Sequence, residues 1–515
     1  MNMQQMISQS QTEEKAKYAT VIKKITSLIS IFDKLYGQSY HKKLIQTDYN
    51  TLKLTSFPSV ILDNIKINHP LVKLMIEYVK KLDTMGDSSK FFLLFVKYLV
   101  EESIKIVEKG VKPTILGEIY RDIGGDIDDL CRELVKEIEI PSFKSSENVK
   151  ENTVKSDESD EISVENRISE LNMSILPTFS LLLDSLIKDK KIKDLLTECI
   201  NKTKSFSTEK IRICKINAGT LDDSYLVEGM VFEKEPESTR KSLKNGSSSI
   251  YNCPLDICRA ELKSTILMNT SDELYNYSKD EIDLIKNKVE NLKSDLIICS
   301  GKVDNIFLDF CNKNNKMVFK IMSKHDLRRI RECLGGYISP VLESLTEDQY
   351  GTVKNVEVFT ESNKNYTKFI GNDIQTIVLK NSLDVVLDEQ ERIINKTLRA
   401  ISKNIKNNKI KVVEGAGKFE KNMENIFKKN MANVYSNTDI NILSKKYAYE
   451  SLSKAFSKFK KFDNNIFDIY NTKVKAIKYA LDFTAVMYET EDYLIGVQEK
   501  MNIKPRMNED WDEDH

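Results

Sequence analysis

The sequence predicts a multidomain α+β protein in which helices from both ends of the chain enclose an α/β middle. Three observations predict it. Apolar residues recur at helical spacing from Ala19 to Ile138 and again from Asp384 to Tyr493. Between them, from Lys210, the period shifts toward two, and strand patterns alternate with helical ones. Across 515 residues there are only 17 glycines and 9 prolines, the residues that most often interrupt helices. A middle unit inserted into a discontinuous helical one is the economical arrangement.

In chain order, residues 1–18 are polar. Val21, Ile22, Ile25, Leu28, Ile29, Ile31, Phe32 and Leu35 define a helix that stops at Tyr36-Gly37, where glycine suits a C-cap. Lys42 to Thr55 alternates Leu, Ile and Thr, the pattern of a short hairpin. Pro58 and Pro70 each open a helix, where the missing N–H has no intrahelical partner to lose. The pattern from Asp63 to Val107 is nearly continuous, broken at Gly86. Phe91 to Val100 is apolar on almost every face, which places it inside a bundle. Helix continues from Pro113 through Leu116 to Ile138, with a break expected at Gly124-Gly125.

Composition changes at Pro141. The stretch to Glu165 is rich in Ser, Lys, Glu and Asp and reads as a mobile loop. Helical spacing returns from Ile168 to Ile200. Ile211 to Ile216, Leu226 to Phe232 and Ala260 to Ile266 read as strands, and Asp280 to Leu292 as a helix. Leu296 to Cys299 is a buried strand ending at Ser300-Gly301-Lys302; a helix (Val303 to Asn312) and a strand (Met317 to Ile321) follow. Gln375 to Leu379 is a further strand, Asp384 to Ile405 one long helix, and everything from Phe419 to Tyr493 is helical.

Lys+Arg 78 against Asp+Glu 78 leaves no net charge, which excludes the basic surplus of a broad nucleic-acid or anionic-membrane binder. The lysine-rich stretches Lys403 to Lys411 and Lys454 to Lys461 therefore read as solvated helix faces. Eight cysteines form no CxxC pair, and the four histidines are scattered, so no zinc pattern is present. Apolar settings such as Ile297-Ile298-Cys299 suit reduced, buried thiols and a cytoplasmic compartment. The polar N-terminus lacks a signal peptide's apolar core, and the longest apolar run, from Phe91, is too short to span a bilayer.

The stretch that carries chemistry is Met85-Gly86-Asp87-Ser88-Ser89-Lys90, between an amphipathic helix and a strongly apolar one. A Gly-Asp turn followed by two hydroxyls at a helix start can hold a phosphate and its metal. The free N–H groups and partial positive charge favour an anion, and the carboxylate takes a cation. A plain interhelical turn with Ser or Asp as N-cap accounts for the same six residues.

Four further segments carry a family resemblance: Tyr225 to Phe232, Tyr251-Asn252-Cys253-Pro254-Leu255-Asp256, Ser323-Lys324-His325-Asp326-Leu327-Arg328-Arg329, and the acidic ending Asp510-Trp511-Asp512-Glu513-Asp514. On these the chain resembles the group II chaperonins, and within them the theta subunits of the eukaryotic cytosolic chaperonin. The resemblance runs from about Tyr18 to the C-terminus, apart from 141–165. It implies an all-α equatorial domain in two parts (1–138 and 399–515, with an acidic tail at 508–515). It also implies a small α/β intermediate domain in two parts (139–210 and 358–398) and an inserted α/β apical domain (211–357) that contacts substrate. It implies a cytoplasmic, hetero-oligomeric double ring of chaperonin subunits that encloses unfolded polypeptides and is driven by ATP with Mg²⁺, with no nucleic-acid or membrane partner.

Against that family pattern the site residues are mixed. The resemblance implies nucleotide contacts at Gly37, Lys43, Asp87, Ser88, Ser89, Gly415, Gly417 and Asp468, with Asp87 as the metal ligand. The second glycine of the phosphate loop Gly37-Gln38-Ser39-Tyr40 is a tyrosine, whose side chain obstructs close approach of backbone to phosphate. Phe57 stands at an aspartate position of the metal–nucleotide site, and a phenyl ring offers no oxygen to a hard cation. Ser88 replaces a glycine and is expected to restrict its loop. Lys396, four residues after the Arg of Glu391-Arg392, stands where the family's water-activating aspartate does, and an ammonium cannot accept a proton. The expectation is a subunit that binds nucleotide at most, with weak or no hydrolysis. The alternatives are a fully active ATPase subunit and a monomeric binding module outside any ring.

Overall fold

The computed structural model describes residues 22–37, 41–47, 50–65, 69–139, 179–203, 205–256, 267, 269–406, 409–433, 440–462 and 465–490. The 141–165 loop, the Ala260 to Ile266 strand, Tyr40 and the 508–515 tail lie outside them.

Helical residues 22–29 (α1) tighten into a 3₁₀ turn, Ser30–Leu35, and Gly37 follows at φ +100°. The expected hairpin forms from β1 (Lys43–Gln46) and β2 (Leu52–Thr55), with Lys43 opposite Thr55. Pro58 and Pro70 sit in the first turns of α2 (Pro58–Asp63) and α3 (Pro70–Met85). Next come α4 (Ser89–Glu108) and α5 (Pro113–Cys131). The break expected at Gly124-Gly125 does not occur. Leu116, Tyr120, Ile123 and Ile127 bury one continuous stripe of α5, and that burial outweighs about 1 kcal/mol of helix propensity per glycine. The helix also ends earlier than expected, because Lys136–Glu139 is a strand (β3).

After helical residues 179–186 (α6) and α7 (Lys190–Thr203), the chain enters an eight-stranded mixed sheet. Its elements are β4 (Ile211–Ile216), β5 (Tyr225–Phe232), β6 (Ser242–Tyr251), α8 (Ser271–Asn291), β7 (Leu296–Cys299), α9 (Asn305–Lys313), β8 (Met317–Lys320), α10 (Lys324–Leu334), β9 (Ile338–Ser339), β10 (Gly351–Glu361) and β11 (Lys364–Lys380). The path β4-β11-β10-β6-β7-β8 is parallel at β4–β11 and across β6-β7-β8, so the partly parallel core expected here is present. Ser323 caps α10 by accepting from the Asp326 N–H, and Asp326 in turn pairs with Arg212 and Arg329. Of the basic run Ser323 to Arg329, Ser323 and Arg329 are thereby used within the fold, while Lys324, His325 and Arg328 are exposed.

The chain returns through α11 (Asp384–Asn404), β12 (Ile405–Lys406), β13 (Lys409–Glu414), α12 (Lys418–Asn433), α13 (Ile440–Ser457), β14 (Phe467–Ile469) and α14 (Tyr470–Glu489). The return is not wholly helical. β14 pairs antiparallel with β13, which also pairs with β3 and β12, and Ile469 is buried beside Val412. One core joins both ends of the chain: Phe91 to Val96 are buried among side chains of α3, α5, α12, α13 and α14. Buried hydroxyls tie the same ends, with Tyr120 Oη 2.6 Å from Ser451 Oγ and 2.7 Å from Ser103 Oγ. No described helix is long and apolar enough to cross a membrane. The seven described cysteines are free thiols, six of them buried.

Candidate functional site

Three tight turns and the middle of α11 enclose a cavity of about 900 Å³. The first turn joins α3 to α4. Gly86 ends α3 at φ +98°, and a Cβ there would lie 2.5 Å from Ala400, so only glycine lets this turn press against α11. Ser88 takes a left-handed conformation as well, at φ +69°. The serine expected to restrict the loop thus adopts the geometry open to glycine. Its hydroxyl lies 3.3 Å from Asp87 Oδ2 and 3.2 Å from Thr472 Oγ1. The start of the 20-residue α4, with its unsatisfied first N–H groups, opens onto the cavity at Ser89 and Lys90.

The second turn, Ala416-Gly417, leads into α12 with both residues at positive φ. A Cβ on Gly417 would lie 2.5 Å from the Lys460 carbonyl. The third is Gly37, packed on the Phe462 ring. From α11 come Gln390, Ile393, Lys396 and Thr397, and from β14 and α14 come Asp468 and Lys473.

Two cations organise the wall. Lys396 Nζ lies 3.0 Å from Asp83 Oδ1 and 4.6 Å from the centre of the buried Phe57 ring. Burial works to raise the Asp83 carboxyl, but Lys396, with the hydroxyls of Ser59 and Ser89, holds it below the usual range. Lys473 is buried between Glu420 (2.6 Å) and Asp468 (2.9 Å), over the face of Phe91 at 4.2 Å. These carboxylates keep it protonated well above its ordinary value, against the burial that would lower it. Burial, then Asp468, pushes the Asp87 carboxyl up. Burial, then Lys396, pushes Lys90 down to about 7.

Of the residues singled out from sequence, Gly37, Asp87, Ser88, Ser89, Gly417 and Asp468 line this cavity, together with Phe57 and Lys396. Lys43 and Gly415 are not in the lining. Lys42 is there instead, and Gly415 packs so that a Cβ would lie 3.1 Å from Asp468 Oδ1. Sequence reading missed Lys473, Lys188 and Gln390. It recorded Lys90 only as the end of a motif. A lysine amid the apolar residues of α14 was a signal for Lys473; nothing in the local pattern marks Gln390.

Other carboxylates of α11 are engaged elsewhere. Glu389 is fully buried and accepts from Ser56 N (2.9 Å) and Ser56 Oγ (3.2 Å). Asp388 and Glu391 both pair with Lys215. Among the described residues no group of three or more His, Cys, Asp or Glu could hold a metal ion. Within the lining, Asp184 pairs with Lys193 at 2.7 Å, Asp468 with Lys473, and Asp189 accepts from the Lys191 N–H. That leaves Asp87, beside two ammonium groups. Mg²⁺ is commonly held by one or two carboxylates, with phosphate and water oxygens completing its shell; here Asp87 is the lining carboxylate left for that role, and the nearby Phe57 ring offers no oxygen. An anion suits it well, because helix starts and lysines converge there.

A family model, the TCP-1/cpn60 chaperonin family, matches residues 36–462 of the chain. The chain is 43% identical over 511 residues to the T-complex protein 1 subunit theta of Encephalitozoon cuniculi, covering 99% of this chain and 98% of that one. It is 24% identical to the theta subunit of Caenorhabditis briggsae over 96% of this chain and 93% of the relative. For the human theta subunit the figures are 26%, 70% and 63%.

Proposed function

The chain belongs to the TCP-1/cpn60 chaperonin family, and on that premise we propose that it is a cytosolic ring subunit that binds nucleotide without hydrolysing it. Its ring is hetero-oligomeric and double, and encloses unfolded polypeptides. The helical core built from both chain ends is its equatorial domain, and the eight-stranded unit its apical one. Closure is driven by the ATP cycles of neighbouring subunits.

The observation that carries this reading is the cluster Phe57–Lys396–Asp83. Hydrolysis requires a water held in line and a group that takes its proton, a contribution of about 10²- to 10⁴-fold. Lys396 is paired with Asp83 and cannot serve as that base. Glu389 is occupied by Ser56, and Asp388 by Lys215. The retained features point to binding: the left-handed turns at Gly86, Ser88 and Gly417, the open start of α4, and a cavity of about 900 Å³, the size that accepts a small organic ligand.

The test is ATP turnover by the purified chain, and by rings in which every other subunit is inactivated. The expected result is nucleotide binding with turnover at least a hundredfold below that of the intact ring. Turnover at a normal rate would overturn the reading. Native size-exclusion chromatography tests the ring, and a monomer peak with no assembly would refute it.

A further inference from the structure

We propose that α11 is latched onto the end of α3 by contacts within the chain, so that nucleotide entering the cavity leaves its position unchanged. The inference rests on the nucleotide-binding reading above for its ligand alone; the latch itself is a property of the chain.

One face of α11 is fastened to the N-terminal part of the chain at successive points. Glu389, fully buried, accepts from the N–H and the hydroxyl of Ser56, just after β2. Lys396 Nζ lies 3.0 Å from Asp83 Oδ1, with the Phe57 ring 4.6 Å away. Gly86 packs so closely that a Cβ there would lie 2.6 Å from the Ala400 Cα. Lys403 donates to the Thr84 carbonyl. Residues 389, 396, 400 and 403 share a face of the helix, because seven, four and three residues are whole helical turns to a first approximation. At 1.5 Å per residue the fastened length is about 21 Å. Swinging α11 away would break a buried carboxylate's bonds, an ion pair and a close backbone contact together.

The rest of α11 is bound to what lies beyond it. Leu387, Ile394, Leu398 and Ile401 are buried in one core with Leu196 of α7 and with Ile377 and Leu379 of β11. Lys215 of β4 pairs with Asp388 at 2.8 Å and with Glu391 at 2.9 Å. Whatever holds α11 therefore also holds this end of the eight-stranded sheet.

A ligand shifts a conformational equilibrium only by its difference in affinity for the two states. Every contact in the latch is made between groups of the chain itself. Lys396 and Asp83 are 18% and 16% exposed, so salt screens their attraction less than it would on the surface. Moving a two-state equilibrium from 1:99 to 99:1 takes about a 10⁴-fold preference for the moved state. A nucleotide would have to supply that preference and replace the latch contacts as well. A subunit built this way takes its position from its neighbours and not from its own nucleotide.

The experiment is double electron–electron resonance on the purified full-length chain, with and without ATP, beside calorimetry that reports ATP binding. Spin labels replace Glu77 on α3 and Asp384 at the start of α11, both exposed, through non-cysteine chemistry because the chain has eight cysteines. The expected result is one narrow distance that ATP shifts by less than about 2 Å. Lys396→Met/Asp83→Asn/Lys403→Met, which leaves no stranded carboxylate, should add a second distance in about a tenth of the molecules or more, in a proportion that ATP changes. A larger shift in the wild type, with ATP bound, would overturn the latch and leave the nucleotide reading standing. No ATP binding in calorimetry would overturn the nucleotide reading and leave the latch to the variant. A folded triple variant with the single wild-type distance would overturn the latch in either case.

Discussion

Replacing Lys396 with methionine separates a structural ion pair from a surface accident. The Lys396 and Asp83 side chains are 18% and 16% exposed, between a surface pair worth about 0–1 kcal/mol and a buried pair whose breakage costs about 3–5 kcal/mol. A value of about 2 kcal/mol follows for stranding Asp83. Loss of the cation over Phe57 adds about 1 kcal/mol, which methionine largely offsets through its own sulfur–aromatic contact. For a cooperative unit of this size, about 2 kcal/mol lowers Tm by about 4–8 °C at pH 7. Without Lys396, burial acts on Asp83 with less opposition and its carboxyl rises. The loss should therefore shrink toward pH 5, where the stranded group takes up a proton. Adding Asp83→Asn removes the stranded charge and should recover more than half of the loss. Circular dichroism at 222 nm during heating measures all three proteins. A drop below about 2 °C, or a double variant no better than the single one, would refute the reasoning.

Three further outcomes follow from the same geometry. Gly86→Ala forces a left-handed alanine against the Ala400 backbone and should cost about 2–4 kcal/mol in urea unfolding. A wild-type midpoint would mean that the turn does not press on α11. Lys473→Met leaves Glu420 and Asp468 facing each other, with Glu420 1% exposed, and should cost about 3–5 kcal/mol. Restoration of much of that loss by Glu420→Gln is the check. Lys90 titrates near 7 in the folded chain against an ordinary value of 10.5, so between those limits the unfolded chain binds more protons and stability rises with pH. Lys396, Glu389, Asp87 and Lys188 face it. Lys90→Met should raise Tm relative to the wild type most at pH 7 and below, and least near pH 10. A difference independent of pH would contradict the assignment.

The helical ends were legible because their cores are built from long apolar stripes. Phe91 to Val96 announces burial without help from any other segment, and Pro58 and Pro70 mark helix starts by their own chemistry. The strands missed in whole or, as with Lys364–Lys380 before Gln375, in part lack such a signal. Ser242–Tyr251 hides Ser248 and Ser249 in the sheet and satisfies Ser249 through Ser294 at 2.6 Å, so its buried half is partly polar. Lys364–Lys380 begins with alternating polar residues and becomes continuously buried only from Ile374. β14 is three residues long and exists because β13 offers an edge. At the site, Asp87 and the two serines could be read from one short motif. The Asp83–Lys396 pair joins residues 313 apart, and no local spacing encodes it.

That long-range pair bears on what Phe57 and Lys396 mean. Taken from the sequence alone they are two separate losses, of a metal ligand and of a base. In the fold they touch each other, and Lys396 also touches Asp83, so they behave as one substitution with three participants. An aspartate in place of Lys396 would remove the cation that Asp83 now pairs with and add a second carboxylate to the same partly buried wall, which raises the proton affinity of both. An aspartate in place of Phe57 would give Lys396 a second carboxylate partner and remove the ring that fills the space beneath it. Neither single reversion rebuilds a catalytic centre. Charge at this position is balanced by the lysine, and restoring turnover requires changing 57 and 396 together, with Asp83 neutralised so that the new carboxylates stay ionised.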